Sequence, residues 1–122
     1  MLPVAAGAKP VTIKSASPYQ LGDLLGKADA TYDLAVPADL IYPEVTKARM
    51  PAFIFMHGSG GKLLRHQRYL ELARVLGFVP LQLDSFGPRG TGSTVGNQRN
   101  VTAAMMATDV PRALKLLSLI HI

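Results

Sequence analysis

The chain has 122 residues, 48% of them hydrophobic and 17% charged, with no cysteine and a formal net charge of +5. That length and apolar share support one domain with its own core and exclude a multidomain assembly or a disordered chain. The missing cysteine excludes disulfides, thiolate zinc sites and a cysteine nucleophile within these residues, and leaves the compartment open.

All of the excess positive charge lies after Gly61, where Arg65, Arg68 and Arg74 are spaced like the wet face of a helix. Neither interleaved aromatics nor a nucleic-acid module accompanies them, so a solvated surface is expected and nucleic acid is not an expected partner. No apolar run approaches the roughly 18 residues of a membrane span, so no membrane partner is expected. Met1 to Pro10 lack the basic start and apolar stretch of a signal peptide. Localisation stays open between cytoplasm and, with an upstream signal lost, periplasm or exterior.

In chain order, Val11 to Ser17 and Ala30 to Tyr42 alternate loosely, which predicts antiparallel strands, with Pro37-Ala38-Asp39 as a hairpin connection. Ala52 to Met56 is apolar at every position, the pattern of a strand covered on both faces. A glycine-rich turn follows, His57-Gly58-Ser59-Gly60-Gly61. A helix is then expected with Leu63, Leu64, Leu70, Ala73 and Leu76 at near-helical spacing, capped by Gly77. Phe78 to Leu83 reads as a second buried strand that Pro80 weakens, ending at Asp84. Residues 85–100 form a loop rich in glycine, proline and arginine. A second helix spans about Thr102 to Leu117, with Ala103, Met106, Val110, Leu114 and Leu117 on its apolar stripe and a kink or restart at Pro111. Strand, helix, strand, helix is an α/β order.

The strand, turn and helix around His57 to Gly61 carry the strongest chemical signal. Such a turn leaves backbone N–H groups free to stabilise a developing negative charge, as an oxyanion hole does. A phosphate loop would need glycine where Met56 stands and Ser or Thr where Leu63 stands, and a dinucleotide loop would need glycine at Leu63, so both fail. The remaining alternative is that the glycines only make a sharp turn.

At this point the sequence resembles the dienelactone hydrolase-like branch of the α/β-hydrolase fold. The resemblance rests on His57 to Gly61, on Asp84-Ser85-Phe86-Gly87-Pro88-Arg89-Gly90, on the helix and strand between them, and on the Thr94 to Gln98 stretch with its following helix. It covers about residues 30–116. It implies the N-terminal half of that sheet: antiparallel opening strands, then parallel strands with flanking helices. It also implies oxyanion donors at the backbone N–H of Ser59 and of Gly60, and a small-molecule ester, lactone or related acyl substrate. The nucleophile of that family sits on a Gly-x-Ser/Cys-x-Gly elbow, which residues 1–122 lack, so this chain alone is expected to be inactive. In that topology the strand at Ala52 to Met56 lies beside the missing nucleophile strand and is left as an apolar edge. No cofactor is implied. A non-catalytic α/β module that holds an anion or a partner on the same turn is the alternative.

Other chemistry-bearing residues are read individually. His57 is a candidate substrate contact, or a packed buttress of the loop. Arg89 could hold a substrate carboxylate bidentately, or pin its own loop. Asp84 is expected to accept backbone N–H bonds from the loop that follows it. Ser59 paired with His57 would be a self-contained nucleophile and base, an arrangement that their shared tight turn disfavours, and Ser85 with His57 is not expected either, although neighbouring strand ends lie close together. His66 reads as a surface residue, Met105 and Met106 as core filling. His57, His66 and Asp84 have no metal-ligand spacing, so no metal is expected.

The chain thus divides into residues 1–29, an N-terminal extension with the first strand; 30–116, a partial α/β-hydrolase domain; and 117–122. Read into codons as CTG TCT CTT ATA CAC ATC, Leu117-Ser118-Leu119-Ile120-His121-Ile122 match the mosaic end of a transposase sequencing adaptor. Those six residues are therefore expected to be adaptor read-through.

Overall fold

The computed structural model describes residues 8–24, 34–43 and 49–119. Strands β1 (Ala8–Ser15), β2 (Leu34–Ile41), β3 (Ala52–Phe55) and β4 (Val79–Leu83) form an open mixed sheet in the order β1-β2-β4-β3. β1 and β2 are antiparallel, β2 and β4 antiparallel, β3 and β4 parallel. Helices α1 (Leu21–Leu24), α2 (Gln67–Val75) and α3 (Ala103–Leu119) complete an α/β architecture. The expected boundary at residue 29, the strand start at Ala30 and the final residues 120–122 lie outside the described residues.

One face of the sheet carries the core. Ile13, Val36, Ala38, Leu40, Val79, Leu81 and Leu83 are buried there against Ala113 and Leu117 of α3. Their spacing of two along each strand puts them on a single side. α2 packs on β4, and on that side Phe55 of β3 meets His66 with ring centroids 4.9 Å apart. Both faces of β3 therefore meet helical segments, which explains its unbroken apolar run. It is nonetheless the end strand of the described sheet, and Phe53 is 38% exposed.

The predicted hairpin at Pro37-Ala38-Asp39 does not form, because β2 runs straight through it. The β2–β4 register makes Pro37 and Asp84 the next pair after Ala38 and Leu83, and the Asp84 N–H donates to the Pro37 carbonyl at 3.1 Å. Proline thus sits at the end of a ladder, where its missing N–H costs one terminal bond. Pro80 is tolerated in the same way. The Val79 N–H points to β3, donating to the Pro51 carbonyl at 2.8 Å, so the missing donor of Pro80 faces β2 just beyond their last pair, Leu40 and Leu81.

The first predicted helix begins as a 3₁₀ turn (Leu64–His66) and ends in a Schellman cap. Gly77, at φ 93°, donates to the Arg74 carbonyl at 3.1 Å, and Phe78 to the Ala73 carbonyl at 3.0 Å. α3 is continuous through Pro111, with no restart. Its buried face differs from the predicted stripe: Ala104, Met105, Thr108, Asp109, Ala113 and Leu117 are buried, whereas Ala103 and Leu114 are exposed. The helix is rotated to bury a carboxylate, which hydrophobic periodicity cannot anticipate. No helix among the described residues is long and apolar enough to cross a membrane.

Candidate functional site

Because β3 and β4 are parallel neighbours, their C-terminal ends lie side by side, and the two motifs singled out in the sequence leave the sheet there together. Open α/β sheets bind ligands at this edge. The Gly61 N–H donates to the Gly58 carbonyl at 3.0 Å and closes a turn whose central residues are Ser59 and Gly60. Such a turn uses only its first carbonyl and its last N–H. Among the described residues no acceptor engages the N–H of Ser59 or of Gly60. Gly61 has φ 79°, and a Cβ there would strike the carbonyl oxygen of Gly92, so only glycine lets the 91–100 loop close over the turn. That loop is tied down by the Thr94 N–H and Ser93 hydroxyl, which donate to the Ser59 carbonyl at 2.8 and 3.1 Å.

His57 is 3% exposed and packs edge-on against Phe86, with centroids 4.3 Å apart. Its Nε2 lies 3.0 Å from the Ser85 N–H, which has only a proton to give. Nε2 is therefore the acceptor nitrogen, the proton resides on Nδ1, and Nδ1–H donates to the Gly58 carbonyl at 3.0 Å. Both ring nitrogens hold backbone, as the buttress reading expects, and neither is turned to a substrate.

Arg89 follows the loop-pinning alternative. Its side chain is 4% exposed and its five N–H donors have five acceptors. Nε donates to the Ser17 hydroxyl at 2.9 Å, and the two terminal nitrogens to the Ser85 and Ala16 carbonyls at 3.0 and 2.8 Å. They also grip Asp109 bidentately at 2.7 and 2.9 Å. Asp109, at 0% exposure, further accepts the hydroxyls of Ser15 and Ser85, both at 2.6 Å. The end of β1, the loop after β4 and helix α3 thus converge on one buried ion pair, and no donor of Arg89 remains for a substrate carboxylate.

The Ser85 hydroxyl is committed to Asp109, with the Met56 sulfur at 3.4 Å, so Ser85 and His57 meet through a backbone N–H and do not form a nucleophile and base. The Ser59 hydroxyl reaches only the amide of Gln98, at 3.3 and 3.5 Å. Asp84 accepts the Phe86 and Gly87 N–H groups at 3.2 and 3.0 Å, the role read for it from its position. His66 differs from its surface expectation: it is buried, and its Nδ1 accepts the Leu63 N–H at 3.2 Å. Burial, with Arg65 and His57 nearby, holds its pKa below the ordinary 6.5. Among the described residues no cluster of three or more His, Cys, Asp or Glu side chains could hold a metal.

The reading of the sequence gave no role to Asp109 or Ser93, and took Thr94 only as the start of the Thr94 to Gln98 stretch. An acid four residues from both Met105 and Ala113, within an apolar helix and downstream of an arginine-bearing loop, was the available signal for Asp109. Nothing local marks what Ser93 and Thr94 do at the turn, since that is set by a contact across more than thirty residues. No protein-family model and no curated protein matches the chain.

Proposed function

We propose that this chain forms the oxyanion-loop half of a dienelactone hydrolase-like enzyme of the α/β-hydrolase fold. It would cleave an ester, lactone or related acyl bond with a Ser or Cys nucleophile that is not among residues 1–122. The observation that carries this reading is the pair of adjacent backbone N–H groups, Ser59 and Gly60, left without acceptors among the described residues at the C-terminal end of a parallel strand. Two such donors aimed at a carbonyl oxygen stabilise the negative charge that develops on it during acyl transfer. Sheet topology adds support, since antiparallel opening strands precede a parallel pair whose outer member is β3. The nucleophile-bearing strand of the resembled fold belongs beside that strand.

The test is to sequence the source locus through the codons for Lys115 and Leu116 and beyond. A frame that continues into an apolar strand and a Gly-x-Ser/Cys-x-Gly elbow is the expected result. A frame that ends at Ile122 as written would overturn it. The second reading, a module that holds an anion without turnover, is favoured by one observation: His57, Ser85, Arg89 and Asp109 are all engaged with one another or with backbone, so that among the described residues the Ser59 hydroxyl of the turn has no side-chain base beside it.

A further inference from the structure

We propose that His57 is a positioning residue for the Ser59 N–H, acting through the plane of the Gly58–Ser59 peptide, and that the Ser93–Thr94 segment acts likewise on the Gly60 N–H. The inference rests on the reading of this turn as an anion site and supplies what orients it. A trans peptide is planar, so the C=O of one residue and the N–H of the next point in opposite directions, and the described chain contains no cis bond. Holding the carbonyl of Gly58 therefore fixes the direction of the Ser59 N–H. Two donors hold that carbonyl, the His57 Nδ1–H and the Gly61 N–H, each at 3.0 Å. The carbonyl of Ser59, held by the Thr94 N–H at 2.8 Å and the Ser93 hydroxyl at 3.1 Å, fixes the Gly60 N–H in the same manner.

A neutral His57 donates from Nδ1 only in the tautomer that leaves Nε2 bare, and the Ser85 N–H at 3.0 Å enforces that tautomer. Ser85 is itself fixed, through its hydroxyl to Asp109 at 2.6 Å and its carbonyl to Arg89 at 3.0 Å. A line of hydrogen bonds thus runs from the buried ion pair through Ser85 and His57 to the Gly58 carbonyl. Without it the Gly58 carbonyl would keep only the Gly61 N–H, and the Gly58–Ser59 peptide could turn more readily so that its carbonyl, in place of its N–H, faces the anion. With His57 buried and Gly58 and Ser59 exposed, the pinned carbonyl faces the protein and the N–H is turned away from it.

The experiment uses the full chain labelled with ¹⁵N. The imidazole spectrum of the unaltered protein is expected to show His57 protonated on Nδ1 and bare on Nε2; the opposite tautomer would overturn the proposal by itself. Inorganic phosphate is then titrated at constant ionic strength, and the Ser59 and Gly60 amide resonances are expected to shift together. His57→Asn keeps a donor near the Nδ1 position, whereas His57→Gln carries its amide out to the Nε2 position, where its oxygen can accept the Ser85 N–H and no donor is left at Nδ1. The Asn variant is expected to bind phosphate like the parent. The Gln variant is expected to bind about tenfold more weakly, the worth of one hydrogen bond to a charged group, with the loss concentrated at Ser59. A merely structural role would make the two variants equal, and equal affinities would overturn the proposal while leaving the anion site intact. No phosphate response at Ser59 and Gly60 in the parent would overturn the anion site and the proposal with it. If His57→Gln loses the β1–β2 amide dispersion of the fold, the parent tautomer and the Asn variant decide.

Discussion

At the scale of single residues, the Arg89–Asp109 pair shows how a charge can be placed in a core. Each partner alone would be a buried ion with no compensation, and the pair is tolerated because all five guanidinium donors and both carboxylate oxygens are used. Truncating one partner leaves the other buried and unpaired. Asp109→Ala or Arg89→Ala is expected to lower unfolding free energy by about 3–5 kcal/mol, and the double variant by less than the sum, in urea denaturation. Arg89→Lys should recover little, since an ammonium offers three donors without the planar fork.

His66 supplies a second residue-level prediction, with a sign. Its folded pKa lies below the ordinary 6.5, so in the acid range the unfolded chain binds more protons at this site than the folded one. Its contribution is then complete above that value and is lost as the pH falls below it. Thermal melts between about pH 7.5 and 5 are expected to show falling stability, with a shallower fall in His66→Asn, which keeps an acceptor for the Leu63 N–H. An unchanged slope in the variant would refute this.

Among the elements, the turn and the end strand behave differently under substitution. Gly61→Ala places a Cβ on the Gly92 carbonyl and a side chain at φ 79°, and is expected to cost at least about 1–3 kcal/mol and to loosen the 91–100 loop, read by amide exchange at Thr94. Strand β3 has no charged residue among Ala52 to Phe55, and Phe53 is exposed. An apolar end strand pairs readily with other chains, so the purified chain is expected to associate as its concentration rises, and Phe53→Lys to shift light scattering toward the monomer. A parent that scatters as a monomer at all concentrations would contradict the reading of β3 as an open edge.

For the molecule as a whole, the prediction concerns activity. The Ser85 hydroxyl is buried and taken by Asp109, which Arg89 grips, His57 holds backbone on both nitrogens, and Ser59 meets only Gln98, so among the described residues no exposed nucleophile has a base beside it. The purified chain is expected to hydrolyse an activated ester no faster than its Ser59→Ala, Ser85→Ala variant. Turnover abolished by those substitutions would show a nucleophile that this arrangement does not provide.

The sequence by itself determined the α/β order, strands β1, β3 and β4 to within a few residues, the Gly77 cap and the turn at His57 to Gly61. Those features are local: a period of two, a period near four, or a glycine where φ must be positive all act within a few residues of chain. Tertiary structure alone decided that Pro37 lies within β2, that α3 turns Asp109 inward, and that His57 and Arg89 face protein. Each depends on a partner far along the chain. Asp84 gives Pro37 a donor, Arg89 stabilises a carboxylate that helix periodicity would leave in water, and Ser85 selects the His57 tautomer. Local pattern records which surfaces are apolar, whereas the pairing of buried polar groups is settled only when distant segments meet.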